Sequence, residues 1–175
     1  MDRCSPKSLT PLICPFAVLV DSREQLPYSF AGLRADACDH YRPLVVELRG
    51  ATLSEGDYSV EGLQGRVAVE RKSAADLFGT IGQGRERFIR ELERLNGLDV
   101  AAVVVEAEWS EIFTRPPEHS QLPPKVVLRS CLTWQQRFPH VHWVFCPGRA
   151  FAERVTFRIL ERAWKAEQKK TQTQK

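Results

Sequence analysis

The amino-acid sequence predicts an α/β fold, in which strands alternate with helices and a sheet is covered on both faces. Three observations predict it. Residues 16–20 and 100–105 are continuous apolar runs of strand length, each followed by an acid, as expected of strands buried on both faces. Residues 67–70 read V-A-V-E and alternate like a half-buried strand. Residues 85–96 place Phe88, Leu92 and Leu95 on one helical face, and Gly97 stops that helix. With 175 residues and no internal repeat, one domain accounts for the chain and can bury most of its apolar surface.

The elements follow in order. Residues 1–15 carry Pro, Ser, Lys and Cys without periodicity and read as a loose tail. The strand at 16–20 ends in Asp21. Residues 25–43 contain Pro27 and Gly32, end in Pro43 and read as loop; 44–48 is a second strand. Residues 57–60 and 66–70 form a hairpin around the glycine-bearing segment 61–65. Ser73 caps a helix that begins at Ala74, and 81–84 is a glycine break before the helix at 85–96. Residues 100–106 are expected to be the central parallel strand. Two proline pairs, at 116–117 and 123–124, bracket a loop, and the second opens a helix through about Phe138. A last strand at 143–146 precedes a helix at 149–168, and 169–175 fray as a C-terminal tail, leaving 16–168 as the folded domain.

Net charge is only +3, so no overall polycation coats nucleic acid unspecifically. Basic residues are clustered instead: Arg85, Arg87, Arg90 and Arg94 in one helix, and Lys165, Lys169, Lys170 and Lys175 near the end. Glu86, Glu91 and Glu93 are interleaved at helical spacing, so the arginine helix also reads as a solvated, ion-paired face. Cys4, Cys14, Cys38, Cys131 and Cys146 form no C-x-x-C pair and are odd in number, which argues against zinc and against a disulfide framework. His40, His119, His140 and His142 are scattered. No apolar run is long enough to cross a membrane and no signal peptide is visible, so a soluble, cytoplasmic protein without membrane contact is expected.

The chemistry concentrates in Glu70-Arg71-Lys72. On a strand Glu70 and Lys72 project to one face, because the side-chain period is two. Asp57, in G-D-Y-S-V, can sit on the neighbouring strand. Two hard oxygen ligands beside a cation are the pieces of a Mg²⁺ site, for which Mn²⁺ would substitute, and metal-assisted phosphodiester hydrolysis needs that combination.

V-D-S-R-E at 20–24, G-D at 56–57 and E-R-K-S-A-A-D at 70–76 resemble the nuclease domain of the XPF-type structure-specific endonucleases, whose signature is G-D, a variable gap, E-R-K, three residues and D. Every fixed position is matched, and the resemblance runs from about Phe16 to the last helix. It implies a restriction-endonuclease-like, three-layer α/β/α fold with a central mixed sheet, and an endonuclease acting on DNA, at flaps, forks or junctions. The short form is more similar to stand-alone bacterial or phage members. Many XPF-type proteins carry a tandem helix-hairpin-helix module after this domain, and this sequence ends without one. Substrate choice is therefore expected to come from the domain, a homodimer or another protein. The rival readings are a non-catalytic DNA-binding or scaffolding subunit, and a junction resolvase or exonuclease on the same fold.

In this reading Asp57 and Glu70 are the central metal ligands. The Arg71 carbonyl is a candidate third ligand, and Asp21 and Glu24 complete the cluster directly or through water. Lys72 stays protonated, because adjacent acids raise its pKa, and it either orients or polarises the attacking water or steadies charge developing on the phosphate. Asp76 is either catalytic or structural, as a first-turn acid complementing the helix dipole or an ion-pair partner of Arg71 or Arg23. Arg23 and Arg71 are phosphate-binding or charge-balancing candidates, and Arg85 and Arg87 would grip the DNA backbone. Tyr58 fills core.

In the last helix Phe151, Ala152, Val155, Ile159, Ala163 and Ala166 form one apolar arc, and Phe157, Leu160 and Trp164 an adjoining one. Together they cover roughly two thirds of the circumference, wider than the ~100° stripe of a surface helix. One face is expected to pack on the sheet. The other, centred on Val155, Ile159 and Ala163, is expected to pair with a second copy, unless a loop such as 113–122 folds over it.

Overall fold

The computed structural model of the protein describes residues 10–35 and 42–173; the first nine residues of the expected tail, with Cys4, Cys38, His40 and Lys175, lie outside the described residues. Six strands form one sheet: β1 (Leu12–Asp21), β2 (Leu44–Ala51), β3 (Tyr58–Val60), β4 (Val67–Lys72), β5 (Val100–Val105) and β6 (Val141–Phe145). Among the described residues five helices cover it: α1 (Ala74–Gly82), α2 (Arg85–Leu95), α3 (Trp109–Thr114), α4 (Pro124–Arg137) and α5 (Arg149–Thr173). The strand order is β2-β1-β3-β4-β5-β6. All neighbours pair in parallel except β3, which is antiparallel to both β1 and β4.

Pleat alternation sorts the apolar residues into two cores. Val67, Val69, Ala102 and Val104 face α5, together with Val18, Val20, Tyr28 and Phe30. Ala68, Ala101, Val103 and Val105 face the opposite layer, where Leu77, Phe88, Leu92, Ile112 and Trp134 of α1 to α4 pack. The result is the expected three-layer α/β/α arrangement around a mixed sheet.

Several boundaries differ from expectation. β1 starts at Leu12, because Leu12 and Ile13 pair with Leu44 and Val45; the register then slips before Ala17. Pro15, which has no N–H for the ladder, lies inside that irregularity. β5 is parallel on both sides but lies one strand from the edge, not at the centre. A wholly buried strand reads alike in either place. The short α3 is too brief for periodicity to reveal. The residues after it pack with the α1–α4 layer, where Leu122 joins the core, so this loop leaves α5 uncovered. α5 continues through Thr173 instead of fraying at 169, with the Thr171 and Thr173 hydroxyls donating to the carbonyls four residues before.

Gly56 is the backbone device that brings β3 close to β4. Its φ is +66°, and an added Cβ would lie 3.0 Å from the Val69 carbonyl oxygen and 3.2 Å from the Ala68 Cβ. Only glycine takes both the left-handed backbone and the close approach without cost. Gly56→Ala is expected to destabilise the fold by about 2 kcal/mol, read as a lower midpoint in chemical denaturation with an unchanged slope.

Candidate active site

Because β3 runs against its neighbours, the residue before it lies level with the C-terminal ends of β1, β4 and β5. Asp57 is that residue. Its N–H donates to the Val69 carbonyl at 2.9 Å, its carbonyl accepts from the Asp21 N–H at 2.8 Å, and its carboxylate accepts the Arg71 N–H at 2.7 Å. Asp57 is thereby fixed by backbone on both sides. Glu70, 4% exposed, comes off β4 beside it. Both line an open cleft of about 1000 Å³ at the strand ends, walled by α1 and α2. Open α/β sheets place ligands at this end of their strands.

The E-R-K triplet splits as its pleat requires. Glu70 and Lys72 face α2: the Lys72 ammonium pairs with Glu70 and lies 4.8 Å over the Phe88 ring. Burial opposes the Lys72 charge, but Glu70, Glu91 and Asp57 outweigh it and raise its pKa, so the ammonium is retained as expected. Arg71 turns to the other face, over Tyr28. It forms a two-pronged pair with Glu106, at 2.7 and 2.9 Å, and a longer contact with Glu24 at 3.5 Å. Burial works against the Glu106 charge, yet Arg71 and the Tyr28 hydroxyl hold its pKa below the ordinary carboxylate range.

Burial first, and then the charge of Glu70, push the Asp57 carboxyl up to about 8. Two carboxylates this close in a buried corner do not both ionise readily. Glu91 is the third acid of the corner. Burial, with Glu70's charge and a hydrogen bond to it, pushes its carboxyl up to about 7. Sequence reading left Glu91 as a surface charge. The signal was there, since Glu91 is three residues after Phe88 and four before Leu95, on the rim of the buried face. Arg87, Glu91 and Arg94 share one helical stripe and all line the cleft.

The other expected site residues divide. Asp21, 3% exposed, lines the cleft, but both its oxygens are taken: Oδ1 by the Arg23 N–H and Nε at 2.8 Å, Oδ2 by Arg23 Nη2 at 2.9 Å and the Leu53 N–H at 2.8 Å. The Arg23 hydrogen bonds hold the Asp21 carboxyl below its usual range. Asp21 and Arg23 thus tie β1 to the loop after β2. Glu24 accepts the Leu26 N–H at 2.7 Å and borders the cleft. Asp76 also lines the cleft, and it closes a capping box in which its N–H donates to Ser73 Oγ while its carboxylate accepts from the Ser73 N–H and hydroxyl. Arg85 points to α4, donating to Ser130 Oγ at 2.8 Å and stacking 5.1 Å over Trp134, and it does not line the cleft. Its place one turn before Phe88's neighbour Ile89 puts it on the helix side facing α4 and away from the Arg87 stripe.

A mixed six-stranded sheet between helical layers, with acids gathered where β1, β4 and β5 end, defines a restriction-endonuclease-like domain. The model of the ERCC4 domain matches residues 20–158, and the chain belongs to that family of nuclease domains. Two solved structures share the fold. XPF from Aeropyrum pernix superposes with a TM-score of 0.60 and 18% identity, over 84% of this chain and 61% of that one. XPF from Aeropyrum pernix in complex with DNA superposes with a TM-score of 0.56 and 17% identity, over 86% of this chain and 66% of that one. The chain thus spans somewhat less than two thirds of these proteins. No curated protein sequence matches it.

The raised Asp57 pKa has a thermodynamic sign. Between the unfolded value of 3.8 and the folded value of about 8, metal-free folded protein holds a proton that the unfolded chain has lost. Stability is therefore present at low pH and is lost as pH rises through about 8. Asp57→Asn is expected to stabilise chelator-treated protein by about 2 kcal/mol at alkaline pH, with the gain shrinking toward pH ~5, as thermal denaturation across a pH series will read.

Proposed function

We propose that the protein is a Mg²⁺-dependent DNA endonuclease that hydrolyses phosphodiester bonds near branches in DNA. The observation that carries the reading is the juxtaposition of Asp57, just before β3, and Glu70 of β4 beside the Lys72 ammonium in an open cleft that also holds Arg87 and Arg94. Membership of the ERCC4-domain family supports hydrolysis of nucleic acid, and the likeness to an XPF protein in complex with DNA supports DNA as the partner.

The donor set fits a hard divalent cation. Asp57 and Glu70 offer carboxylate oxygens whose mutual repulsion a cation would relieve. Among the described residues no three Asp, Glu, His or Cys side chains could hold a metal ion by themselves. The remaining positions fall to the Arg71 carbonyl, water and phosphate oxygens, a mixture that Mg²⁺ favours and Mn²⁺ accepts. When bound, the ion supplies Lewis acidity and charge neutralisation at the scissile phosphate. The chain's own residues do the rest. Lys72, kept protonated by its acidic neighbours, faces the developing phosphorane charge from a fixed position. Arg87 and Arg94 hold the DNA backbone at the α2 wall, where phosphate contacts position the strand without reading sequence. Glu91, half-buried behind Glu70, sets how much negative charge the corner carries.

A second copy of the chain is the proposed partner on the opposite layer. Phe151, Val155, Ile159 and Ala166, with Val100 and the buried Ala163, line a groove of about 580 Å³ along α5 that Arg154, Arg158 and Arg162 also border, while Phe157 and Leu160 are buried against the sheet. No described helix is long and apolar enough to cross a membrane.

The test is cleavage of labelled fork, flap, four-way and linear DNA with and without Mg²⁺. Wild type is expected to cut branched substrates, and Asp57→Ala and Glu70→Ala to lose at least about 100-fold in rate. Equal cutting by all three would expose a contaminant. Intact DNA binding with no cutting of any substrate would favour a scaffolding subunit, and end-dependent cutting an exonuclease. Sedimentation is expected to give a dimeric mass for wild type and a monomeric one for Ile159→Asp, because a charge in an apolar interface is costly; a monomeric wild type would remove the dimer.

A further inference from the structure

Glu106 has no part in the reading above, yet its carboxylate gathers more of the fold than any other acid near the cleft. Its Oε1 accepts from Arg71 Nε at 2.7 Å, the Tyr28 hydroxyl at 2.8 Å and Arg149 Nη1 at 3.1 Å, and its Oε2 accepts from Arg71 Nη2 at 2.9 Å. The donors come from β4, from the loop after β1 and from the first residue of α5. The Arg71 and Glu106 side chains are only 7% and 8% exposed.

The backbone of the same two residues completes the grip. The Glu106 N–H donates to the Lys72 carbonyl at 2.8 Å, and the Arg71 N–H donates to Asp57 Oδ2 at 2.7 Å. The end of β4 is thus held by the Arg71 side chain on one face and the Lys72 carbonyl at the edge, while the Arg71 amide meets Asp57, just before β3. A two-pronged guanidinium–carboxylate pair fixes orientation as well as distance. A buried ion pair adds little net stability over apolar residues of equal volume, so orientation is what this one has to offer.

We infer that Glu106 is a positioning residue: by locking Arg71 from behind, it keeps the Arg71 N–H aimed at Asp57 and holds Glu70 and Lys72 in register with that acid. Tyr28 and Arg149 steady Glu106 in turn. Arg149 also donates to the Leu26 and Pro27 carbonyls at 2.7 and 3.0 Å, which ties the loop at the cleft mouth to the same anchor. The inference rests on the nuclease reading for its kinetic consequence, and on geometry alone for its structural one.

The experiment compares wild type, Glu106→Gln, Arg71→Lys and the double variant by cleavage kinetics under Mg²⁺, and by amide hydrogen exchange of the metal-free proteins. Glu106→Gln keeps the shape and removes the charge. It is expected to lower kcat about 10- to 100-fold, as loss of a supporting partner does, with KM within about threefold. Arg71→Lys cannot form the two-pronged pair and should lose as much, and the double variant no more than either single. The Arg71 amide is expected to exchange about tenfold faster in Glu106→Gln while Val103 in the core is unchanged. A folded Glu106→Gln with wild-type kcat and unaltered Arg71 exchange would overturn the inference. Should Glu106→Gln fail to fold, Arg149→Ala decides, since it removes one donor from a side chain that is 41% exposed. Faster Arg71 exchange in that variant supports the role, and unchanged exchange overturns it. If wild type cleaves nothing, the nuclease reading fails, and the exchange measurement alone judges Glu106.

Discussion

Asp57, half-buried just before β3, and Glu70, buried on the adjoining β4, are acids that share one corner of the cleft. Bringing two negative charges into such a corner costs free energy that neither strand recovers by pairing. The surroundings are arranged around that cost. Gly56 lets the backbone approach β4, the Arg71 N–H and the Lys72 ammonium answer part of the charge, and burial shifts Asp57 toward its neutral form. On the proposed reading, a cation entering this corner would relieve the repulsion, and selection for stability alone would not keep such a corner.

Strand polarity makes the corner possible. Five of the six strands run one way, and acids at their C-terminal ends would gather there in any such sheet. β3 runs the other way, so it must contribute from its N-terminal side, which is where G-D stands. The pleat of β4 then does two tasks at once. Glu70 and Lys72 serve the cleft, and Arg71 between them serves as the bolt, through Glu106, that holds them. Three successive charged residues read as one cluster in the sequence, but the two faces of the strand use them differently.

Much of this was legible beforehand. The apolar runs, the hairpin glycines and the face made by Phe88, Leu92 and Leu95 fixed the layer architecture, because burial acts on patterns that survive in one dimension. The E-R-K triplet and the G-D turn located the cleft for the same reason: period two dictates which side chains share a face. What escaped depends on contacts distant in sequence. The Arg23 pair of Asp21 was local enough to be read as charge balance, but the Leu53 N–H on its carboxylate comes from 32 residues away. Arg85 looked like a phosphate grip because Ser130 and Trp134 lie 45 and more residues away. Glu106 read as the polar end of a strand, although V-V-V-E repeats the apolar-run-then-acid pattern that drew attention to Asp21. Asp76 had two local explanations, and the capping box satisfies one of them while leaving the residue at the cleft wall.

β3 is only three residues long, and Tyr58 opposite Val69 is its one register pair with β4. That narrow seam is all that stitches the β2–β1 block to the β4–β5–β6 block within the sheet. Transient opening should start where the ladder is thinnest. Asp57 stands on one bank of this seam and Glu70 on the other, so any ligand bridging them is also a rivet. Filling the cleft and knitting the sheet together are then a single event.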